Sequence, residues 1–427
     1  MNRNLPLVSH LPFTTCLPSG KVHHSRFCLV LIAVFSLLTS QAQYQMEHLT
    51  RGVHAVPAGN GNVFVSWRLL GTEGNNLSFN LYKTVNGKTS KLNKNPLMKA
   101  TGFTDAAVDT NAINVYTVKA IINKKEEAKG ESFTLTANAK PYISIPLNTP
   151  AGYSANDASV GDVDGDGVYE IFIHLTGRAK DNSQAGITDP PVIQCYKLDG
   201  TFLWEINLGK NIREGAHYTQ FMVYDLDADG KAEIAMKTAD GSIDGKGKVI
   251  GDSTKDYRNQ RGYILSGPEF LTVFNGQTGA AISTVNYDPP RYPTSLNPTT
   301  DELKAMWGDG YGNRMDRFLG AIAYLDGKHP SLVMCRGYYT RTVLAAWDLK
   351  GNQLVKRWVF DSDTPGNNKY AGQGNHNLSV SDVDGDGKDE IIYGQMTVDD
   401  NGQGLYSTGI GHGDALHVSD MDPARPG

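Results

Sequence analysis

The feature that most constrains the fold of this chain is a short acidic loop, Asp-x-Asp-x-Asp-Gly-x-x-Glu, which occurs three times between strand-like segments. The first copy carries Asp162, Asp164, Asp166 and Glu170, and the second Asp225, Asp227, Asp229 and Glu233. The third carries Asp382, Asp384, Asp386 and Glu390. Carboxylates at alternate positions wrap one centre, the glycine allows a sharp turn, and the last carboxylate closes the shell. Such an all-oxygen shell suits a hard cation, and its adjustable size favours Ca2+ over Mg2+. One copy alone would read as a solvated Asp-Gly turn. Three copies in equivalent positions point to bound ions, whose default role in a repeat is structural.

Each loop belongs to a larger unit. The order is strand, acidic loop, strand, an insertion, then a strand pair around Asp-Gly or Asn-Gly, as at Asp199-Gly200 and Asn275-Gly276. A worn copy, Ala321 to Gly327, keeps only Asp326, and a last copy opens at Ala415. Four short strands recurring at roughly 60 residues describe one blade of a propeller. The chain holds roughly four to five such blades, and because a propeller must close or cap its last blade it reads as truncated. Before the repeats, Val63–Trp67, Leu77–Tyr82 and Asn114–Ile121 alternate in polarity between Gly/Asn turns, which suggests a fibronectin type III-like β-sandwich. The expected fold is therefore all-β, with a leader at 1–42, a β-sandwich at 46–137 and a partial calcium-binding β-propeller at 138–427.

The leader reading rests on a basic flank from Lys21 to Arg26, an apolar run from Phe27 to Leu38, and small residues around Ser40-Gln41-Ala42. The run is short for a full span, so cleavage and a secreted or periplasmic product are expected. The residues before Lys21 fit no usual leader, which suggests a start codon further downstream. With 40 basic against 45 acidic residues, the balance disfavours nucleic acid or an anionic membrane as partner. Stable membrane insertion is not expected, and a monomer is. Of the four cysteines, Cys16 and Cys28 fall in the leader. Cys195 and Cys335 can pair, but two buried free thiols fit their strand-like surroundings better.

The segments just before the first strand of each unit are rich in polar side chains: Asn156-Asp157, His217 to Gln220, Arg314 to Arg317, Asn375 to Asn377, and His412 to Asp414. Singly, each reads as a turn or cap. Jointly they are expected to line one funnel, with Asp157, Tyr218, Arg317, Asn377 and His412 as candidate substrate contacts. Arg336 to Arg341 interleaves cations with Tyr338 and Tyr339, a combination suited to sugar faces and uronate carboxylates. There is no Gly-x-Ser-x-Gly, phosphate-cradling glycine loop or His-Glu-x-x-His zinc pair, so the chemistry points to metal-assisted or acid/base work.

Several stretches resemble rhamnogalacturonan lyases of polysaccharide lyase family 11. They include Arg51 to Val56, Val65 to Thr72, Ser154 to Gly167, Gly215 to Phe221, Arg336 to Thr342, Gly374 to Val380 and Gly411 to His417. The resemblance implies an eight-bladed propeller with several Ca2+ ions, incomplete in this chain, acting on pectic rhamnogalacturonan I. The implied reaction is β-elimination at galacturonate, leaving an unsaturated uronate. Asn156 matches a substrate-contacting asparagine of the family. Where family members often carry Lys-Trp-Asp-Pro, this chain has His174-Leu-Thr-Gly, which puts substrate length or cleavage mode in question. Within the chain, His217, His376, Arg336 and Lys237 are the candidates for base or charge neutraliser. The alternative is a non-catalytic calcium propeller that binds pectic glycan or a protein.

Overall fold

A computed structural model describes residues 44–422 apart from Asn75 and Lys99. The expected leader, with Cys16 and Cys28, lies outside the described residues. Among those described, no helix is long and apolar enough to cross a membrane.

The described chain is all-β, with antiparallel sheets throughout. Two sheets precede the repeats: a three-stranded one from His54–Gly59, Asn62–Ser66 and Gly102–Asp105, and one built around Leu77–Val85 paired with Asn114–Ile122. In Asn114–Ile122 alternate residues are buried, so Tyr116, Val118 and Ala120 face one core with Val63, Val65, Phe79 and Leu81. This is the period-two pattern of a strand with one wet face.

Four further sheets follow in order. The first runs Ser154–Gly161, Glu170–Thr176, Val192–Tyr196 and Phe202–Asn207, extended by a small hairpin at Ser242–Ile243 and Val249–Ile250. The second is Phe221–Tyr224, Glu233–Ala239, Glu269–Asn275 and Ala281–Asn286. The third is Phe318–Ala323, Ser331–Arg336, Val343–Lys350 and Gln353–Asp361. The fourth is Ser379–Ser381, Glu390–Tyr393, Met396–Val398 and Gly404–Ser407. Each repeat is thus a four-strand meander, as the repeated sequence units imply.

The middle strands are buried on both faces, because successive sheets pack face to face. In Ser331–Arg336 every residue is buried. Leu332 and Met334 join Ala235, Leu271 and Val273 of the second sheet, whereas Val333 and Cys335 join Ile391 and Tyr393 of the fourth. Burying each such side chain contributes about 1.5–3 kcal/mol. Cys195 and Cys335 lie in different cores and are both free thiols, as expected from their flanks. The first strands of successive sheets pack side by side, which brings the segments preceding them towards one another.

Residues 44–50 form a strap across this array. Tyr44 lies on Tyr324 with ring centroids 4.5 Å apart, and the Gln45 amide donates to the Lys328 carbonyl at 2.8 Å. The Tyr324 hydroxyl donates to the Gln45 carbonyl at 2.7 Å. Glu47 accepts from the Tyr169 hydroxyl, and Thr50 donates to Gly167. The strap therefore touches both the first and the third repeat sheets.

Candidate functional site

The three acidic loops share one construction. The closing glutamate is the first residue of the second strand and pairs with the residue before the first aspartate: Gly161 with Glu170, Tyr224 with Glu233, Ser381 with Glu390. Its Oε2 accepts the amide of the residue after that aspartate, from Val163, Leu226 and Val383. The first aspartate accepts two further amides, from Gly165 and Gly167 on Asp162, Asp229 and Gly230 on Asp225, and Gly385 and Gly387 on Asp382. Gly167 adopts φ +83°, and a Cβ there would lie 2.5 Å from Thr50, so only glycine turns the loop beneath the strap.

Ligand atoms converge within 4.8 Å in Asp162/Asp164/Glu170, in Asp225/Asp227/Asp229 and in Asp382/Asp384/Glu390, and Asp386 and Glu390 also group with Asp400. Asp166 and Glu233, expected in the shells, stand outside these groups. Asp400 was not visible in the loop spacing, because it arrives from a later strand connection. The loops fit a cation on two observations. Asp164 Oδ1 and Glu390 Oε1 are buried without a hydrogen-bond partner. In addition, burial and neighbouring carboxylates push Asp225 up to about 6, Glu390 to about 7 and Glu233 to about 8. Ammonium groups supply part of the missing charge: Lys197 Nζ lies 2.5 Å from Asp164 and 3.5 Å from Glu170, and Lys388 bridges Asp386 and Asp400.

A second constellation gathers from the segments preceding the first strands. His217 and His376 have ring centroids 5.3 Å apart, and His376 and His412 5.0 Å apart. Tyr338 and Tyr339 hold them: the Tyr338 hydroxyl lies 3.1 Å from His376 Nδ1 and 3.5 Å from His217 Nδ1. The Tyr339 hydroxyl lies 3.3 Å from His376 Nε2. His412 stacks on Tyr338 at 5.3 Å and 6°. Its Nδ1 faces the Gly374 carbonyl at 2.6 Å and must carry the proton, which leaves Nε2 as the free lone pair of the neutral ring. Arg317 lies 5.2 Å from the Tyr339 ring centroid. Burial, then Arg317 and His376, lower His217 to about 4, so its ring is neutral at ordinary pH. His376, His412 and the exposed Asp414 also bring ligand atoms within 4.8 Å of one another.

The other proposed substrate contacts make their hydrogen bonds to other partners. Asn156 and Asp157 sit on a bulge of the first strand, where Asn156 donates to Thr176. Tyr218 is buried against Arg213, and Asn377 donates to the Leu416 carbonyl. Among the described residues, no hydrogen bond or ring contact joins these four to the histidines.

Arg336 and Lys237 are separated from the histidines by burial. Both bind Glu269, Arg336 Nη1 at 2.8 Å and Lys237 Nζ at 2.7 Å, and Arg291 joins them at 3.1 Å. Arg336 is fully buried, so its guanidinium is out of reach of a ligand in the histidine cluster. Sequence reasoning missed Glu269 and Arg291. The available signal was a carboxylate opening the apolar strand Glu269–Asn275, because a charge in such a strand needs a partner.

Comparison with known proteins places both parts of the chain. Residues 142–427 match the model "Rhamnogalacturonan lyase family 11, C-terminal domain", and residues 44–135 match "Rhamnogalacturonan I lyases beta-sheet domain". The chain is 58% identical to the rhamnogalacturonan exolyase YesX of Bacillus subtilis, over 90% of this chain and 61% of that protein. It is 55% identical to the endolyase YesW of the same organism, again over 90% and 61%. The solved Bacillus licheniformis rhamnogalacturonan lyase PL11 superposes with TM-score 0.81 at 60% identity, covering 91% of this chain and 65% of that one. The chain thus spans about three fifths of the length of the curated relatives it matches. With a family model covering most of its residues, the chain belongs to rhamnogalacturonan lyase family 11.

Proposed function

We propose that this protein is a secreted lyase that cleaves pectic rhamnogalacturonan I by β-elimination, and that the histidine–tyrosine cluster is part of its reacting centre. The observation that carries this reading is the convergence of His217, His376, His412, Tyr338, Tyr339 and Arg317 from five separate chain segments. Relatives similar over 90% of the chain are rhamnogalacturonan lyases, which supports the substrate class. The reading includes a β-sandwich domain at 46–137 and a β-propeller domain at 138–427, of which the four sheets are successive blades.

In the proposed reaction a base takes the C5 proton of galacturonate, the C4–O bond breaks, a C4=C5 double bond forms and the departing oxygen is protonated. The difficulty is the negative charge that builds beside the uronate carboxylate, and fixed positive charge offsets it. Arg317 supplies such a charge at the cluster. His217, neutral down to about pH 4, has a lone pair available to accept a proton, and His376 is the second candidate base. Asn156, Asp157, Tyr218, Asn377 and His412 retain the proposed role of positioning substrate, with His412 alone of these in the histidine cluster. Ca2+ is the proposed ion of the acidic loops, where it would hold the blades in shape; His376, His412 and Asp414, two imidazoles and one exposed carboxylate, do not make the oxygen shell that Ca2+ takes. A Ca2+ ion bound by the substrate's own uronate carboxylate would share its neutralisation with Arg317.

The test is to incubate the full gene product with rhamnogalacturonan I and follow ultraviolet absorbance of unsaturated uronate, with and without chelator. A rise that chelation abolishes and Ca2+ restores is expected, and His217→Ala is expected to slow it about 10²–10⁴-fold. Retention on immobilised pectin without any new chain ends would replace this reading with simple glycan binding.

A further inference from the structure

Beneath the histidine–tyrosine cluster lies a knot of five charged side chains, each more than nine-tenths buried: Lys237, Glu269, Arg291, Asp316 and Arg336. They come from the second and third sheets and the loops between them, with no two adjacent in sequence. Glu269 is the hub. Its Oε1 meets Lys237 at 2.7 Å, Arg291 at 3.1 Å and Arg336 Nη2 at 3.2 Å, while its Oε2 meets Arg336 Nη1 at 2.8 Å. Three cations therefore face two carboxylates, leaving one positive charge in excess.

Arg336 is the most constrained member, because its five N–H groups are all accounted for. Nη1 donates to Glu269 and to the Pro289 carbonyl, Nη2 to Glu269 and Asp316, and Nε to the Met315 carbonyl. Its guanidinium also lies 5.1 Å from the Phe318 ring centroid. A planar fork bound on every edge has one orientation, and a lysine cannot reproduce it.

The backbone carries this fixity into the cluster. Gly337 follows Arg336 with φ +77°, and its amide donates to the Arg317 carbonyl at 2.8 Å. Next come Tyr338 and Tyr339, whose hydroxyls face the two nitrogens of His376. On the other arm Asp316 is followed by Arg317, which lies over Tyr339, and by Phe318, whose amide donates to the His217 carbonyl at 3.1 Å. Four members of the cluster are thus within three bonded or hydrogen-bonded residues of one guanidinium.

We propose that Arg336, clamped between Glu269 and Asp316, is a positioning residue for the reacting centre: it fixes the segment that aligns Tyr338, Tyr339 and Arg317 on His376 and His217. This deepens the reading given above and rests on it for the word reacting. The alignment itself is a property of the unliganded protein and is tested separately.

The experiment uses Arg336→Lys and Asp316→Asn in the full chain, selectively labelled at histidine ring carbons and recorded by NMR. His412 lies flat on Tyr338, so its ring protons are displaced by the aromatic ring current; His48, His54 and His329 serve as distant references. In Arg336→Lys the displaced signals of His412 and His376 are expected to move towards ordinary positions, while the references and the circular dichroism spectrum hold. In the active gene product, kcat is expected to fall about 10²-fold with KM little changed, since a small misplacement of reacting groups costs that much. Asp316→Asn keeps the shape and the Glu269 fork, so it stays folded and gives a smaller movement in the same direction. Should Arg336→Lys fail to fold, Asp316→Asn decides. Histidine signals at their original positions in either folded variant would overturn the proposal, whatever the protein does to pectin. Moved signals without any lyase activity would uphold the alignment and remove the function.

Discussion

The third repeat sheet and its neighbours solve the same problem by different means. In the first, second and fourth sheets the turn between the first two strands is a carboxylate loop whose amides fold back onto an aspartate and a glutamate. In the third sheet, between Ala323 and Ser331, one acid remains. Asp326 accepts the amides of Lys328 and His329 at 2.8 and 2.7 Å and pairs with His329 Nδ1 at 2.8 Å. The neighbouring sheet helps: Asp389 accepts the Tyr324 amide at 2.7 Å. The three full loops concentrate negative charge, which Lys197 and Lys388 offset in part and the proposed ions would offset further. The worn loop carries little charge and is closed by the His329 ring and by its neighbours, so a full carboxylate loop is not a requirement of the sheet.

The comparison breaks most visibly if the proposed ions are removed. Each proposed site contributes RT ln(1 + [L]/Kd), about 4 kcal/mol at a thousandfold excess of free ion. Calorimetry is therefore expected to show a large fall in melting temperature on chelation, reversed by Ca2+. An unchanged melting curve would mean that all four turns are closed as the third is. At the next scale, Asp162→Ala is expected to cost about 3 kcal/mol in Ca2+ and much less in chelator. Asp326→Ala is expected to cost about 1–2 kcal/mol regardless of chelator, from its lost amide acceptors. Equal chelator dependence of the two variants, measured by urea denaturation, would erase the distinction. The smallest effect is an acid one. Burial opposes the Asp326 charge, but the His329 amide and ring and the Lys328 amide outweigh it and hold the carboxyl below its usual range. A carboxyl lowered in the folded state stabilises above its unfolded pKa, about 3.9. That contribution is lost as pH falls through the lower folded value. Replacing His329 with Gln should shift this small acid-side loss upwards in pH, as read by chemical denaturation between pH 5 and about 2.

How far the sequence could be read follows from the range of each interaction. The acidic loops were legible because carboxylate spacing, glycine and strand flanks lie within nine residues, and the glutamate that closes the loop also sets the hairpin register. The worn third copy was legible for the same reason, through Asp326. The polar segments before the strands named His217, His376, His412 and Arg317, which do meet. They also named Asn156, Tyr218 and Asn377, whose hydrogen bonds run to Thr176, Arg213 and the Leu416 carbonyl, and Asp157 beside Asn156. Polarity marks a candidate but does not say which way a side chain turns. The Glu269 knot left least trace, since its members are scattered from Lys237 to Arg336 and their burial depends on two sheets meeting.

The strap over residues 44–50 has a kinetic consequence. Its Gln45 carbonyl accepts from Tyr324, 279 residues later in the chain. Contacts of such separation form late, because the intervening loop entropy is lost before the contact is gained. In a chain that emerges amino end first, Tyr44 and Gln45 appear before the third repeat sheet and find their seat only after it has folded. Until then the Tyr44 ring lacks the Tyr324 ring on which it lies. Hydrogen exchange at the Gln45 amide, which donates to the Lys328 carbonyl, would therefore time the docking of the strap on the third sheet.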